Sequence, residues 1–109
     1  MGKFVKGEVV VIPFPFSDLS GSKRRPALVL ADLSGDDILL CQITSQSARD
    51  PYSVPLVSND FIGGSLPVNS FIRPTRIFTA DKNIIVRKAG LVNSKVVNVV
   101  TQKIIDLLN

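Results

Sequence analysis

The fold-deciding part of this chain reads GEVVVIPFPFSD (residues 7–18), KRRPALVLADL (residues 23–33) and DDILLCQITSQS (residues 36–47). Each stretch carries an apolar run and turn-forming residues separate the runs, so the sequence predicts three strands, the last two joined as a hairpin. The loop before the second strand ends in three consecutive cations, and the third strand ends in hydroxyl and amide side chains. This spacing predicts that Arg25 lies within reach of Thr44 or Ser45 on one rim of a small barrel. A guanidinium and short hydroxyl donors on such a rim can grip phosphate oxygens together.

The rest of the chain predicts more short strands and one helix. We expect strands over residues 53–57, 68–73, 76–80 and 84–86, with an interruption at Pro74 and a flexible connection over residues 58–67. Ser94 is expected to cap a helix, because apolar residues then recur at helical spacing up to Leu108. Many short strands with Gly and Pro turns favour a mainly β fold, a compact barrel with a C-terminal helix, as one domain over residues 1–109.

Composition places the chain among ordinary globular proteins. It has 109 residues, of which 45% are hydrophobic and 20% charged. No apolar run approaches the roughly 20 residues of a membrane span, and no signal-peptide pattern is present, so we expect a cytoplasmic protein without a membrane partner. The lone Cys41 lies in an apolar strand, which favours a core residue over a nucleophile and agrees with a reducing compartment.

The charge balance points to acidic partners. The net charge is +4 and the sequence pI about 9.6, which suits nucleic acid or an acidic protein inhibitor, with solubility alone as the other interpretation. The cations favour a binding groove because they form two clusters, Lys23, Arg24 and Arg25 in one, and Arg73, Arg76, Lys82, Arg87 and Lys88 in the other.

Two absences restrict the chemistry. The chain has no histidine, and Glu8 is its single glutamate. A Ser-His-Asp triad and a His-rich metal site are therefore excluded, and no cofactor is expected. Any catalysis must use Arg, Lys, Ser, Thr and Asp side chains.

Arg25 and the end of the third strand are the sharpest candidates for phosphate binding. Pro26 biases Arg25 towards extended geometry, so that a strand holds the guanidinium, although a solvated arginine before a proline has the same pattern. Thr44 and Ser45 can donate to a phosphate oxygen or cap the strand end. Gln46 offers a two-sided amide that suits a base edge or a neighbouring loop.

The loop over residues 17–24 has the composition of a segment that contacts backbone phosphates, or of an ordinary solvated loop. Phe14 and Phe16 precede it, and one of these rings could stack on a base. The polar candidates of the loop are Ser17, Asp18, Ser20, Lys23 and Arg24.

Taken in order along the chain, these motifs resemble the MazF/PemK family of toxin endoribonucleases. The matching pieces are GEVVVIPFPF from Gly7, RPALVL from Arg25, ITSQ from Ile43 and NSFIRP from Asn69, continued through Asp81 and the terminal helix. The resemblance covers nearly the whole chain, and four motifs in the right order are more specific than any one alone.

The resemblance implies an SH3-like barrel with a C-terminal helix, of the MazF, PemK and CcdB kind, working as a homodimer. It implies metal-independent, sequence-specific cleavage of single-stranded RNA by attack of the 2′-hydroxyl, restrained by a cognate acidic antitoxin. Carried over motif by motif, it makes Arg25 catalytic and Thr44 its partner. The candidates for contacting RNA are then Ser17, Asp18, Ser20, Lys23, Arg24, Ser45, Gln46, Arg73, Thr75 and Arg76.

This chain departs from the family pattern at two points. Some relatives place a histidine in the first loop, where this chain has Ser17 or Ser20, and the second departure concerns a carboxylate. Some relatives carry an arginine and a carboxylate two residues apart, where this chain has Arg73, Pro74 and Thr75. A general base from that position is therefore missing, and Asp18 is either a substitute base or a turn former. Two alternatives stay open: a non-catalytic toxin of the same fold that binds DNA gyrase through its terminal helix, and a catalytically dead barrel that binds RNA.

Overall fold

The fold is a curled antiparallel sheet with one C-terminal helix. The computed structural model describes residues 3–14, 23–46 and 50–109. Its strands are β1 (Glu8–Phe14), β2 (Lys23–Asp32), β3 (Asp37–Thr44), β4 (Val54–Leu56), β5 (Phe61–Gly64), β6 (Ser70–Asp81) and β7 (Arg87–Val92), followed by helix α1 (Ser94–Leu107). The strands of this described part lie in the order β4-β6-β3-β2-β1-β7-β5, and their ladders are antiparallel. The predicted mainly β architecture with a terminal helix is confirmed.

Successive side chains of a strand point to opposite sides of the sheet. The central strands carry consecutive apolar residues, so both of their faces are apolar. The first core lies between the sheet and α1 and consists of Val9, Leu28, Cys41, Ile43, Val54, Leu56, Ile72, Val92, Val97 and Val100. The second core contains the alternate residues Val10, Ile12, Ala27, Val29, Ile38 and Leu40, with Phe4, Phe78, Ala80 and Ile85 packed against them. Burial on both faces explains why β1, β2 and β3 read as continuous apolar runs instead of alternating ones.

Helix α1 starts one residue earlier than the sequence predicts. Asn93, and not Ser94, is the N-cap, and its side-chain oxygen accepts a hydrogen bond from the backbone N–H of Val96 at 2.9 Å. Val97 and Val100 are buried in the first core. Tertiary packing therefore stabilises a helix whose β-branched residues have low intrinsic helix propensity.

Strand β6 is continuous where the sequence predicts an interruption at Pro74. Cys41 pairs with Ile77 and Ile43 pairs with Ile72, so residues 73–76 bulge out opposite the single residue Gln42. A bulge accommodates proline because it requires no ladder donor at that position. The Cys41 thiol donates to the backbone carbonyl of Arg73 at 2.9 Å, which ties the bulge to β3.

Two predictions about the connections are wrong. Residues 84–86 do not form a strand, because a 3₁₀ helix spans Lys82–Ile84 with the Asp81 side chain accepting from Asn83 N–H, and the strand begins at Arg87. The expected flexible connection over 58–67 contains a 3₁₀ helix at Ser58–Asp60 and strand β5. β5 pairs with β7, and these strands approach so closely that a Cβ on Gly64 would lie 2.1 Å from the Ala89 carbonyl oxygen. Gly64, one of the two adjacent glycines that suggested flexibility, is required for this close approach.

Among the described residues, no helix is long and apolar enough to cross a membrane.

Candidate active site

Arg25 and Thr44 lie on the same face of the β2–β3 hairpin. The ladder pairs Ala27 with Gln42, and the same antiparallel count two residues further along each strand sets Arg25 opposite Thr44. Ala27 belongs to the second core, so alternation puts Arg25 on that side of the sheet, next to Ile12 with which it pairs on β1. The predicted proximity of Arg25 to Thr44 is therefore consistent with the observed register.

The chain neighbours Arg24 and Ser45 lie on the other face. They line a cavity of about 360 Å³ on the side of the first core, together with Ser70 and Arg87. Arg25 also borders this cavity, and its apolar lining comes from Val11, Pro26, Ile43, Leu66, Pro67, Val68 and Val86. The sequence left Thr44 and Ser45 as alternatives for one site, and the structure assigns them to two different surfaces.

Thr44 presents a hydroxyl whose oxygen already accepts one hydrogen bond. The residue is 7% exposed, and its Oγ1 accepts a hydrogen bond from the backbone N–H of Gln46 at 3.1 Å. This contact fixes the oxygen and leaves the O–H to donate elsewhere. Thr44 also pairs with Phe71 on β6, which places an aromatic ring next to the hydroxyl on the same face.

Arg25 carries a buried donor that finds no partner among the described residues. Its Nε is shielded from solvent and makes no hydrogen bond there, although most buried polar groups in native proteins are paired. An unpaired buried donor costs free energy. Such a cost, on the side chain of an arginine that shares a face with Thr44, is typical of a site prepared for an anionic ligand.

Arg73 is held by a carboxylate that the sequence analysis did not assign. Asp50 Oδ2 lies 3.2 Å from Arg73 Nε in an ion pair, and the Thr75 hydroxyl donates to the same oxygen at 3.5 Å. The other carboxylate oxygen accepts from Tyr52 N–H at 2.9 Å. These contacts hold the pKa of Asp50 below its usual range, and the hydrogen bond from Tyr52 N–H has the largest effect. The carboxyl group is therefore ionised at neutral pH. A carboxylate therefore does stand beside Arg73 and Thr75, although it comes from a distant part of the chain.

The remaining candidates fall into two groups. Lys23, Arg76 and Gln46 are exposed, Lys23 at the start of β2, Arg76 at the end of the β6 bulge and Gln46 beside Thr44. Ser17, Asp18 and Ser20 lie outside the described residues. The structure thus brings Arg25 together with Thr44, and Arg73 together with Thr75, while Arg24 and Ser45 belong to the cavity on the opposite face.

Comparison with known proteins settles the family. A family model described as "PemK-like, MazF-like toxin of type II toxin-antitoxin system" matches residues 5–108. The chain belongs to this family. The motifs at Gly7, Arg25, Ile43 and Asn69 all lie within the match, so the resemblance read from the sequence is confirmed. A comparison with curated protein sequences gave no match.

Solved structures of such toxins share the fold of this family member. A MazE–MazF structure from Deinococcus radiodurans is 21% identical with a TM-score of 0.77, covering 100% of this chain and 98% of that one. An endoribonuclease from a Mycobacterial species, in complex with its cognate antitoxin, is 17% identical with a TM-score of 0.74, covering 99% and 95%. Toxin MazF-mt6 from Mycobacterium tuberculosis is 16% identical with a TM-score of 0.72, covering 93% and 95%. At these identities the likeness establishes the fold.

Sequence reasoning missed two residues of this toxin-family site. Arg87 was placed in a cationic cluster and not in the site, because its approach to Arg24 depends on the pairing of β7 with β1. Asp50 gave no signal beyond an Asp-Pro turn pattern. Its contact with Arg73 spans 23 residues of sequence and arises only when β4 pairs with β6.

Proposed function

We propose that this chain is a toxin endoribonuclease that cleaves single-stranded RNA, with Arg25 and Thr44 at the reacting phosphate. The observation that carries the proposal is the buried Nε of Arg25, on the face of Thr44, for which the described residues offer no acceptor. Family membership supplies the toxin role, and two structural relatives are named endoribonucleases, one of them in complex with a cognate antitoxin. A specificity for short RNA sequences follows from the same family proposal.

The chemistry needs little from the protein because RNA carries its own nucleophile. The 2′-hydroxyl oxygen forms a bond to phosphorus, the bond from phosphorus to the 5′-oxygen breaks, and the products are a 2′,3′-cyclic phosphate and a 5′-hydroxyl. Arg25 stabilises the charge that develops on the phosphorane oxygens, and Thr44 donates a neutral hydrogen bond to one of them. The guanidinium stays protonated with a pKa above about 12, so its role is electrostatic. The 2′-hydroxyl proton passes to water or to a base outside these two residues, and water supplies the proton that the leaving 5′-oxygen takes up.

The proposed partners follow from charge and family. A net charge of +4 suits both an RNA strand and an acidic antitoxin segment that competes with RNA for the same surface. A homodimer extends the groove, since one small barrel offers room for few nucleotides. We place the protein in the cytoplasm, where such RNA is found.

The decisive experiment is cleavage in the presence of excess EDTA. Purified protein is incubated with a long single-stranded RNA, and the fragment ends are mapped. We expect cleavage at a recurring short sequence with 5′-hydroxyl ends, abolished in Arg25→Ala and preserved in Lys95→Ala, which removes one exposed cation from α1.

Intact RNA with retained, salt-dependent binding would replace this proposal with a barrel that binds RNA without cleaving it. Intact RNA with no binding, together with toxicity that survives Arg25→Ala, would point to a protein target such as DNA gyrase. Cleavage that stops when EDTA is added would contradict the metal-independent mechanism.

A further inference from the structure

We propose that Asp50 is a positioning residue, which fixes the Arg73 guanidinium so that its two terminal amino groups face an RNA phosphate beside the one at Arg25 and Thr44. This inference rests on the proposed function, because it assigns a role within the same RNA-binding face. It concerns binding of a neighbouring phosphate, and the bond-breaking step stays with Arg25 and Thr44.

The geometry leaves the useful part of the guanidinium available. Asp50 contacts Nε of Arg73 at 3.2 Å, and in the ranges that the structure describes no protein acceptor meets the terminal amino groups. These amino groups form the fork that matches two phosphate oxygens. The Arg73 side chain is 25% exposed, so part of it reaches solvent while its Nε is held by Asp50. Because Asp50 already holds Nε, the Arg73 side chain loses less rotamer entropy when its amino groups bind a phosphate.

The position of Arg73 places this fork on the reacting face. Thr44 pairs with Phe71. Arg73 is the first residue of the bulge, and burial still alternates there: Ile72 and Pro74 are buried, whereas Phe71 and Arg73 are partly exposed. Arg73 is therefore on the side of Phe71 and Thr44. The Arg73 fork therefore lies on the same surface as the Arg25 guanidinium, with β3 between the two strands that carry them. An extended RNA strand held at Arg25 passes this point with its next phosphates.

Asp50 is well suited to holding a cation and poorly suited to removing a proton. Its side chain is 8% exposed, and both oxygens already accept hydrogen bonds, from Tyr52 N–H on one and from Arg73 and Thr75 on the other. A base must be within hydrogen-bond reach of the proton that it takes. A buried carboxylate with both oxygens occupied does not offer that access, so its effect passes through Arg73.

The support of Asp50 is rigid because it opens a turn that leads directly into β4. Its backbone carbonyl accepts from Ser53 N–H at 3.2 Å and from the Ser53 hydroxyl at 3.0 Å. β4 then pairs with β6, the strand that carries Arg73. The carboxylate and the guanidinium are therefore tied to the same ladder, as an orienting contact requires.

The test is a double-mutant cycle on Asp50 and Arg73. Variants Asp50→Asn, Arg73→Ala and the double variant are compared in RNA cleavage and in binding of an uncleavable 2′-O-methyl oligonucleotide of the cleaved sequence. We expect Asp50→Asn to raise KM and Kd by about tenfold with kcat changed less than about twofold. In the Arg73→Ala background the same substitution should have no further effect.

The matched control is Asp60→Asn. Asp60 also accepts a backbone hydrogen bond in a short turn, from Val57 N–H at 2.9 Å, and it forms no ion pair within the described part of the chain. This control should leave KM and Kd unchanged. In NMR spectra the Arg73 Nε–H signal, protected in the parent protein, should exchange faster in Asp50→Asn. Should Asp50→Asn fold poorly, Arg73→Lys keeps the charge without the fork and is expected to weaken binding about tenfold as well.

The outcomes separate the two proposals. A parent protein that cleaves nothing overturns the proposed function, while the Kd cycle, run with a 2′-O-methyl oligonucleotide of mixed sequence, still decides the role of Asp50. A kcat loss for Asp50→Asn that persists in the Arg73→Ala background makes Asp50 an independent proton-transfer group and overturns positioning. Unchanged KM and Kd in folded Asp50→Asn, or in Arg73→Lys, would reduce the ion pair to a structural contact.

Discussion

Arg25 and Thr44 share one face of the β2–β3 hairpin, and the residues next to them in sequence, Arg24 and Ser45, share the opposite face. The strand period of two produces this separation, because adjacent residues of an extended strand point to opposite sides. Each face therefore carries one guanidinium, from Arg24 or Arg25, and one hydroxyl, from Thr44 or Ser45. The two surfaces should therefore respond differently to equivalent substitutions.

Substitutions of Arg24 and Arg25 are expected to affect different quantities, RNA binding for Arg24 and kcat for Arg25. Arg25→Ala should lower kcat by about a hundredfold or more, as loss of a group that stabilises transition-state charge does. Arg24→Ala should leave kcat nearly unchanged and weaken binding, with the slope of log K against log salt reduced by about 0.7 for one lost phosphate contact. Steady-state cleavage and salt titrations measure both. Equal kcat losses in the two variants would contradict the assignment of the reacting phosphate to the Arg25 face.

The hydroxyl of Thr44 can be tested with side chains of matched shape. Thr44→Val removes the donor and leaves the Gln46 N–H without its acceptor, so we expect kcat to fall by about ten- to a hundredfold and stability to fall by about 1 kcal/mol. Thr44→Ser keeps the hydroxyl and should retain most of the rate. Ser45→Ala is the control on the other face, and a kcat loss there as large as in Thr44→Val would count against the proposed site.

Cys41 should be inert to thiol reagents in the folded protein. Burial raises the pKa of its thiol to about 12, so almost no thiolate exists at neutral pH, and the thiol proton is donated to the Arg73 carbonyl. Reaction with a thiol-specific chromogenic reagent should proceed only as fast as the protein unfolds, and should become immediate in denaturant. Stoichiometric modification of the native protein within seconds would show that this strand opens readily.

Asp32 should make stability depend on pH at the acidic end. Hydrogen bonds from Lys82 and from Phe4 N–H hold the pKa of Asp32 below its usual value of 3.8. Because the folded-state pKa is the lower one, the stabilisation is present above the unfolded value and is lost as pH falls through the folded value. Urea unfolding of the parent and of Asp32→Asn should differ at about pH 6, and this difference should be smaller at about pH 3. A difference that is the same at both pH values would exclude this charge effect.

Gly64 should tolerate no side chain. Its φ is +71°, and a Cβ there would lie 2.1 Å from the Ala89 carbonyl oxygen and 2.6 Å from Gly90 Cα, both backbone atoms that cannot move aside cheaply. We expect Gly64→Ala to destabilise the protein by more than about 2 kcal/mol. Gly35→Ala is the matched control, because Gly35 also has positive φ but a Cβ added there would meet no described atom within 4 Å. Thermal unfolding should show a clearly smaller loss for Gly35→Ala.

Much of the fold follows from local sequence patterns. The apolar runs of β2 and β3, the turn between them and the helical spacing after residue 94 are each local signals, and the structure has an element at each place. Two local predictions were wrong: the interruption at Pro74, where β6 is continuous through a bulge, and the strand over residues 84–86, where a 3₁₀ helix ends at Ile84. Proline and polar residues in a sequence do not distinguish a bulge or a capped turn from the end of a strand.

The sequence by itself determined that Arg25 precedes a strand, that Thr44 ends the next one and that both belong to family motifs. Only the tertiary structure decided which neighbours share a face, since one step of register moves every side chain of a strand to the other side. It also decided that Asp50 meets Arg73 and that Arg87 reaches the Arg24 cavity. Those contacts join distant segments through the pairing of β4 with β6 and of β7 with β1, and long-range pairing is set by the packing of the whole core and leaves no local pattern to read.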